Sequence, residues 1–246
     1  MIRTSFVAVV VSLFLCTLPG NSAEPGKALK IGPRNAKLLE NLGIYPDLEV
    51  LSISCLENLR SLPDSIGKLT KLKELIIDNG NGCAMNPLLP EALGNLRVLE
   101  KLVLYGAQDP RGTGSHPGPQ PGKRHQFPRS MSQLKNLVYL DLGRNELDEI
   151  PPFVQDLPKL KELGFAWNMK LKAIPEFLTN LRELTTLKLD ANDLNDLPDF
   201  LNKLPKLSRI TLGDNCKITQ NHAKMRDLKR RFPKVTFDFD DEYDCP

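Results

Sequence analysis

Three histidines, scattered serine and threonine hydroxyls, an Asp/Asn-Gly run and an acidic tail are the groups in this 246-residue chain with the types to do chemistry. His116 and His125 lie in a Gly/Pro-rich run, and His222 opens a separate amphipathic segment. No spacing therefore joins a histidine to both a nucleophile and an orienting carboxylate. Gly114-Ser115-His116 is not a nucleophile elbow, which needs two flanking glycines in a strand-turn-helix context. Gly118 to Arg124 has the glycines and cations of a phosphate loop. However, its spacing is short, it lacks Ser or Thr, and its prolines remove backbone donors. Asp78-Asn79-Gly80-Asn81-Gly82 lacks the later carboxylates and closing Glu of a calcium loop. No Cys/His set has zinc spacing. The acidic tail (Asp238, Asp240, Asp241, Glu242, Asp244) reads as a solvated end pairing with the basic run Lys224, Arg226, Lys229, Arg230 and Arg231. Neither an enzyme nor a cofactor is expected, and a hydrolase is the weakest alternative.

Recognition is the chemistry the remaining residues suit. Tyr105, Tyr139, Asp141, Glu162, Trp167, Lys188, Asp190 and Arg209 recur at matching positions of a repeated unit. Aromatic rings beside charges of both signs fit a protein-sized ligand. A net charge of +3 with no stripe of one sign argues against nucleic acid. Small residues at Gly143, Gly164 and Ala166 are expected to leave the floor of that surface open. Tyr105 and Tyr139 are expected to be removable without loss of stability.

The unit that positions these residues starts at Leu48, Leu72, Leu99, Leu137, Leu160, Leu184 and Leu207, with spacings of 24, 27, 38, 23, 24 and 23 residues. A period of this size signals a solenoid. Leu137-x-x-Leu140-x-Leu142-x-x-Asn145-x-Leu147-x-x-Ile150-Pro151 is a clear copy. Its alternation turns Leu140 and Leu142 inward from a short strand, while Val138, Tyr139, Asp141 and Gly143 face solvent. Asn145, Asn168, Asn192 and Asn215 have amides that both donate and accept, and they are expected to bond backbone groups of adjacent turns as a ladder. Ile66, Leu69 and Leu72 recur every third position, which suits a 3-10 turn on the opposite side. One unit cannot stand alone, because burying its few apolar side chains yields less than ordering its backbone costs. Stacking shares the buried face.

These residues resemble the leucine-rich repeat family. Leu62-Pro63-Asp64-Ser65-Ile66-Gly67 is similar to the short-unit type of secreted bacterial proteins and plant Ras-group proteins. The resemblance covers about residues 36–240. It implies an α/β solenoid, a right-handed horseshoe with a concave parallel sheet and short helical or 3-10 turns on the convex side. Helical caps close both ends. It implies a protein ligand held on the concave face, with a structural cell-envelope component as the alternative.

Residues 1–23 read as a signal peptide, with Arg3 ahead of the apolar run 6–15. That run is too short to span a bilayer, and no other segment could. Bulky Leu15 beside Cys16 argues against a lipoprotein. Residues 24–47 are a linker and cap, and 48–218 hold the seven units, with an insertion at 107–126. Residues 219–246 form a cap helix with Met225, Leu228 and Phe232 on one face, then a last strand and the acidic tail. An exported, secreted or periplasmic monomer is expected. Export leaves Cys55, Cys83, Cys216 and Cys245, which allow three pairings. Cys55–Cys83 and Cys216–Cys245 are the favoured local bridges.

Overall fold

The computed structural model describes residues 27–54, 56, 59, 61–78, 88–106 and 127–240. The expected signal segment, the insertion at 107–126, Cys55, Cys83, Cys245 and the end of the acidic tail lie outside the described residues.

Alternation of apolar and polar residues produces a single open parallel sheet. Its strands run in chain order: β1 (Ala28–Ile31), β2 (Val50–Ser54), β3 (Glu74–Asp78), β4 (Lys101–Tyr105), β5 (Tyr139–Asp141), β6 (Glu162–Gly164), β7 (Thr186–Lys188), β8 (Arg209–Thr211) and β9 (Thr236–Asp238). Each strand pairs in register with the next, so Leu51, Leu75, Leu102, Leu140, Leu163, Leu187 and Ile210 stack as one inward column. All seven are fully buried. Each contributes ~1.5–3 kcal/mol by leaving water.

The return path is fixed by proline. Pro63, Pro90, Pro128, Pro151, Pro175 and Pro198 each stand just before a five-residue 3-10 turn. Three residues per turn bring every third side chain to the same face. Ile66, Leu69 and Leu72 are accordingly all fully buried, as the sequence predicted.

Asn145, Asn168, Asn192 and Asn215 form the expected ladder. The Asn168 amide donates to the carbonyls of Leu142 (3.1 Å) and Phe165 (2.8 Å), while its Oδ1 accepts from the N–H groups of Asn145 and Leu147 (3.0 Å each). The next rung repeats this, with Asn192 Oδ1 accepting from Asn168 N–H. These side chains occupy dry turns where no water could pair the backbone.

The N-terminal end differs from expectation in one way. Residues expected to be a linker contain β1, which pairs with β2 through Ala28–Val50 to Ile31–Ile53 and extends the sheet by one strand. The helical cap that follows, Pro33–Ile44, is 3-10, and Leu39 and Leu42 close the core. At the other end, α1 (Cys216–Thr219) leads into α2 (His222–Arg231), capped by Asn221, whose side chain accepts from the amides of Ala223 and Lys224. Leu228 and Phe232 bury the core's last turn.

Of the residues in the expected tail–helix pairing, Asp241, Glu242 and Asp244 lie outside the described residues, while Arg231 and Asp238 each have another partner. Arg231 turns back to the last repeat, contacting Asp196 and Asp199 at 2.8 Å each and Asp227 at 3.3 Å. It also donates to the Leu197 carbonyl. Asp238 pairs with Arg209 of the adjacent strand at 3.3 Å instead. A planar guanidinium can serve several acceptors at once, so Arg231 ties the cap to the repeats.

Candidate functional site

Parallel pairing places the outward side chains in three columns across the concave face. The first runs Val50, Glu74, Lys101, Tyr139, Glu162, Thr186, Arg209, and the second Ser52, Ile76, Val103, Asp141, Gly164, Lys188, Thr211. The third begins Ser54, Asp78, Tyr105 and continues past the short strands towards Gly143, Ala166, Asp190 and Gly213. The sequence-predicted residues therefore do share a face. Tyr105, Tyr139, Asp141, Glu162, Lys188 and Asp190 lie on it half-buried, and Arg209 is exposed near its end.

Tyr139 is the centre of a charged cluster. Lys101 and Lys188 place their ammonium groups 5.7 and 5.0 Å from its ring centre. Each such contact contributes ~0.5–1 kcal/mol where partly exposed. The two lysines are in turn held by Glu74 at 3.6 Å and Glu162 at 3.2 Å. The Tyr139 hydroxyl donates to Asp141 at 3.4 Å and lies 3.5 Å from Lys188 Nζ. Burial, with Asp141 and Glu162 nearby, pushes the phenol well above its ordinary range. It stays protonated and serves as a donor.

Asp141 accepts from the Gly143 amide at 2.9 Å. Burial raises its carboxyl pKa, opposed by that amide, by Lys188 and by the Tyr139 hydroxyl. Asp190 is raised by burial too, against hydrogen bonds from the Thr211 hydroxyl and the Gly213 amide.

The expectation of an open floor is overturned. A Cβ at Gly143 would stand 2.7 Å from the Tyr105 ring, and one at Gly164 would stand 3.0 Å from the Asp141 carboxylate. Each glycine's space is already filled by the side chain of the preceding repeat. The missing Cβ thus lets a larger neighbour lie flat rather than opening a cavity. The same packing sets the Tyr105 ring against Gly143.

Trp167 lies beyond the end of β6, half-buried, with φ at +63° and its N–H bonded to the Asp190 carbonyl at 2.8 Å. Gly106, Arg144, Trp167, Ala191 and Asp214 all adopt φ between 51° and 63° immediately before or beside the ladder turn. Sequence reasoning missed this left-handed column, because four of its five residues are not glycine. The only signal was positional, one residue before each ladder Asn. Among the described residues no three His, Cys, Asp or Glu side chains gather to hold a metal ion, and no helix is long and apolar enough to cross a membrane.

No family model matches the chain. A curated relative, the disease resistance protein RPS4B of Arabidopsis thaliana, is 26% identical over 137 residues, 48% of this chain and 10% of that protein. The chain thus spans about a tenth of that relative's length. Among solved structures, Listeria monocytogenes InlP is similar at a TM-score of 0.57 and 24% identity, covering 76% of this chain and 49% of that one. An internalin of the same organism, inlF, has a TM-score of 0.50 and 19% identity over 85% of this chain and 58% of its own. At these identities the likeness is one of fold, and the chain spans about half the length of those structures.

Proposed function

We propose that this chain, which has the leucine-rich repeat fold, is an exported protein that binds a protein partner through the concave face of its sheet. The observation that carries the reading is the outward register of the sheet. Tyr105, Tyr139, Ile76, Val103 and the ion pairs around them stand on one continuous surface, half-buried. Packing and hydrogen bonds already hold these side chains, so binding would cost little further ordering. Mixed charge on the face favours protein over nucleic acid. Export is supported by the apolar run at 6–15. It agrees with the even set Cys55, Cys83, Cys216 and Cys245, since disulfides persist in oxidising compartments. Pairing of Cys216 with Cys245, and of Cys55 with Cys83, belongs to the same proposal, as does a monomeric state.

The test is affinity capture from surface extracts with the purified chain, a concave variant (Val103→Arg with Lys188→Glu) and a convex control (Lys206→Glu). A partner retained by the wild type and the control but lost from the concave variant supports the reading. Equal retention by all three would sink it.

A further inference from the structure

The chemistry of the partner follows from charge balance on the same face, an inference that rests on the reading above. Every cation in the outward columns from β4 to β8 is already matched. Lys101 pairs with Glu74, Lys188 with Glu162 and Arg209 with Asp238. Asp141 and Asp190 have no such match among the described residues. Their oxygens accept from neutral donors, Gly143 and Tyr139 for Asp141 and Thr211, Gly213 and its own amide for Asp190. Lys188 attracts Asp141 from further away, but its short contact is to Glu162. Each aspartate also has a second carboxylate close enough to disfavour its charge, Asp78 for Asp141 and Asp238 for Asp190. The C-terminal side of the face thus carries uncompensated negative charge on a chain of net +3.

An apolar strip adjoins it. Ile76 and Val103 are register partners in the middle column, half-buried, and Val103 pairs directly with Asp141. Neighbouring strands are ~4.8 Å apart, so Asp141 lies one step from Val103 and the end of β7, where Asp190 sits, about 14 Å. An extended segment advances ~3.4 Å per residue.

We propose that the concave face takes an extended protein segment laid across the strands. Its apolar side chains rest on Ile76 and Val103, and a Lys or Arg about one to four residues further on reaches Asp141 or Asp190. Burial of an unmatched carboxylate beside a low-dielectric strip strengthens its attraction for a cation. It equally penalises an acidic segment, which gives discrimination as well as affinity.

The experiment pans a random dodecapeptide display library on the purified chain and resynthesises the enriched peptides. Their binding is then measured against the wild type, Val103→Arg and the double variant Asp141→Asn with Asp190→Asn. Asn keeps an acceptor oxygen for Gly143 and Gly213, and thermal unfolding confirms that each variant folds. Expected are peptides with a basic residue one to four positions from an apolar one, bound about tenfold more weakly by the double Asn variant and more tightly at low salt. Peptides that depend on Val103 but lack a basic residue, or that ignore the Asn pair, would overturn this inference and leave concave binding standing. If no enriched peptide responds to Val103→Arg, concave binding fails as well.

Discussion

Lys188 on β7 reaches across β6 to bring its ammonium 5.0 Å over the ring of Tyr139 on β5. Between them stands Gly164, the register partner of both Asp141 and Lys188. Strands two apart are separated by roughly 10 Å, a span that a lysine covers only if nothing rises from the strand between. The single missing side chain at position 164 therefore assembles Tyr139, Asp141, Glu162 and Lys188 into one cluster.

Replacing Gly164 tests that dependence. A Cβ there would meet the Asp141 carboxylate at 3.0 Å, and the branches of valine would press further into it. Gly164→Val is expected to cost ~1–3 kcal/mol, the range for overpacking. Urea unfolding measures it, and a midpoint unchanged from wild type would mean the cluster is not packed as described.

The Asn ladder should be the most sensitive feature of the fold. Asn168→Ala leaves the Leu142 carbonyl and the N–H groups of Asn145 and Leu147 without their partners in a dry turn, while the Phe165 carbonyl keeps only Asn192. Unpaired buried groups cost ~1–3 kcal/mol each, so a loss of at least ~3 kcal/mol is expected. Asn180→Ala, at an exposed position ending a 3-10 turn, serves as the control and should stay within about 0.5 kcal/mol.

The left-handed column predicts a gain. Ala191 holds φ at 51°, where a Cβ is strained. Removing it relieves ~1–2 kcal/mol, against a glycine entropy cost of ~0.5–1 kcal/mol. Ala191→Gly should raise stability by about 0.5–1 kcal/mol, seen as a higher Tm.

Asp141 predicts a pH dependence. Its carboxyl pKa is raised in the folded chain, so the folded state binds more protons than the unfolded one just above the ordinary carboxylate range. Its contribution to stability therefore falls as pH rises from the unfolded-state value of about 3.9 through the folded value. Asp141→Asn abolishes that decline. Compared by thermal melts, the variant should gain on the wild type as pH rises from about 4. A difference that stays constant as pH rises would contradict the assignment.

Arg231 should be replaceable only at a cost. Lysine keeps its charge but loses the fork that serves Asp196, Asp199 and the Leu197 carbonyl together. The two aspartates are exposed, which discounts each pair. Arg231→Lys is expected to lose about 1 kcal/mol, with hydrogen exchange in α2 rising before that in the central strands.

Leucine spacing alone determined the solenoid, the inward columns, the 3-10 turns after each proline and the Asn ladder. Such features are periodic, and each depends only on residues within one unit and its copy. It also placed Tyr105, Tyr139, Asp141 and Lys188 on a common face, since register follows from the period. β1 escaped that reading because Ala28–Ile31 lacks the repeat's signature and becomes a strand only by pairing with β2. Only the tertiary structure decided how side chains lean along the sheet. Tyr105 lies over Gly143, Asp141 over Gly164, and Arg231 turns towards Asp196. Those outcomes depend on the volume left empty by a neighbour one or two strands away, and no spacing along the chain encodes which side chain will fill it.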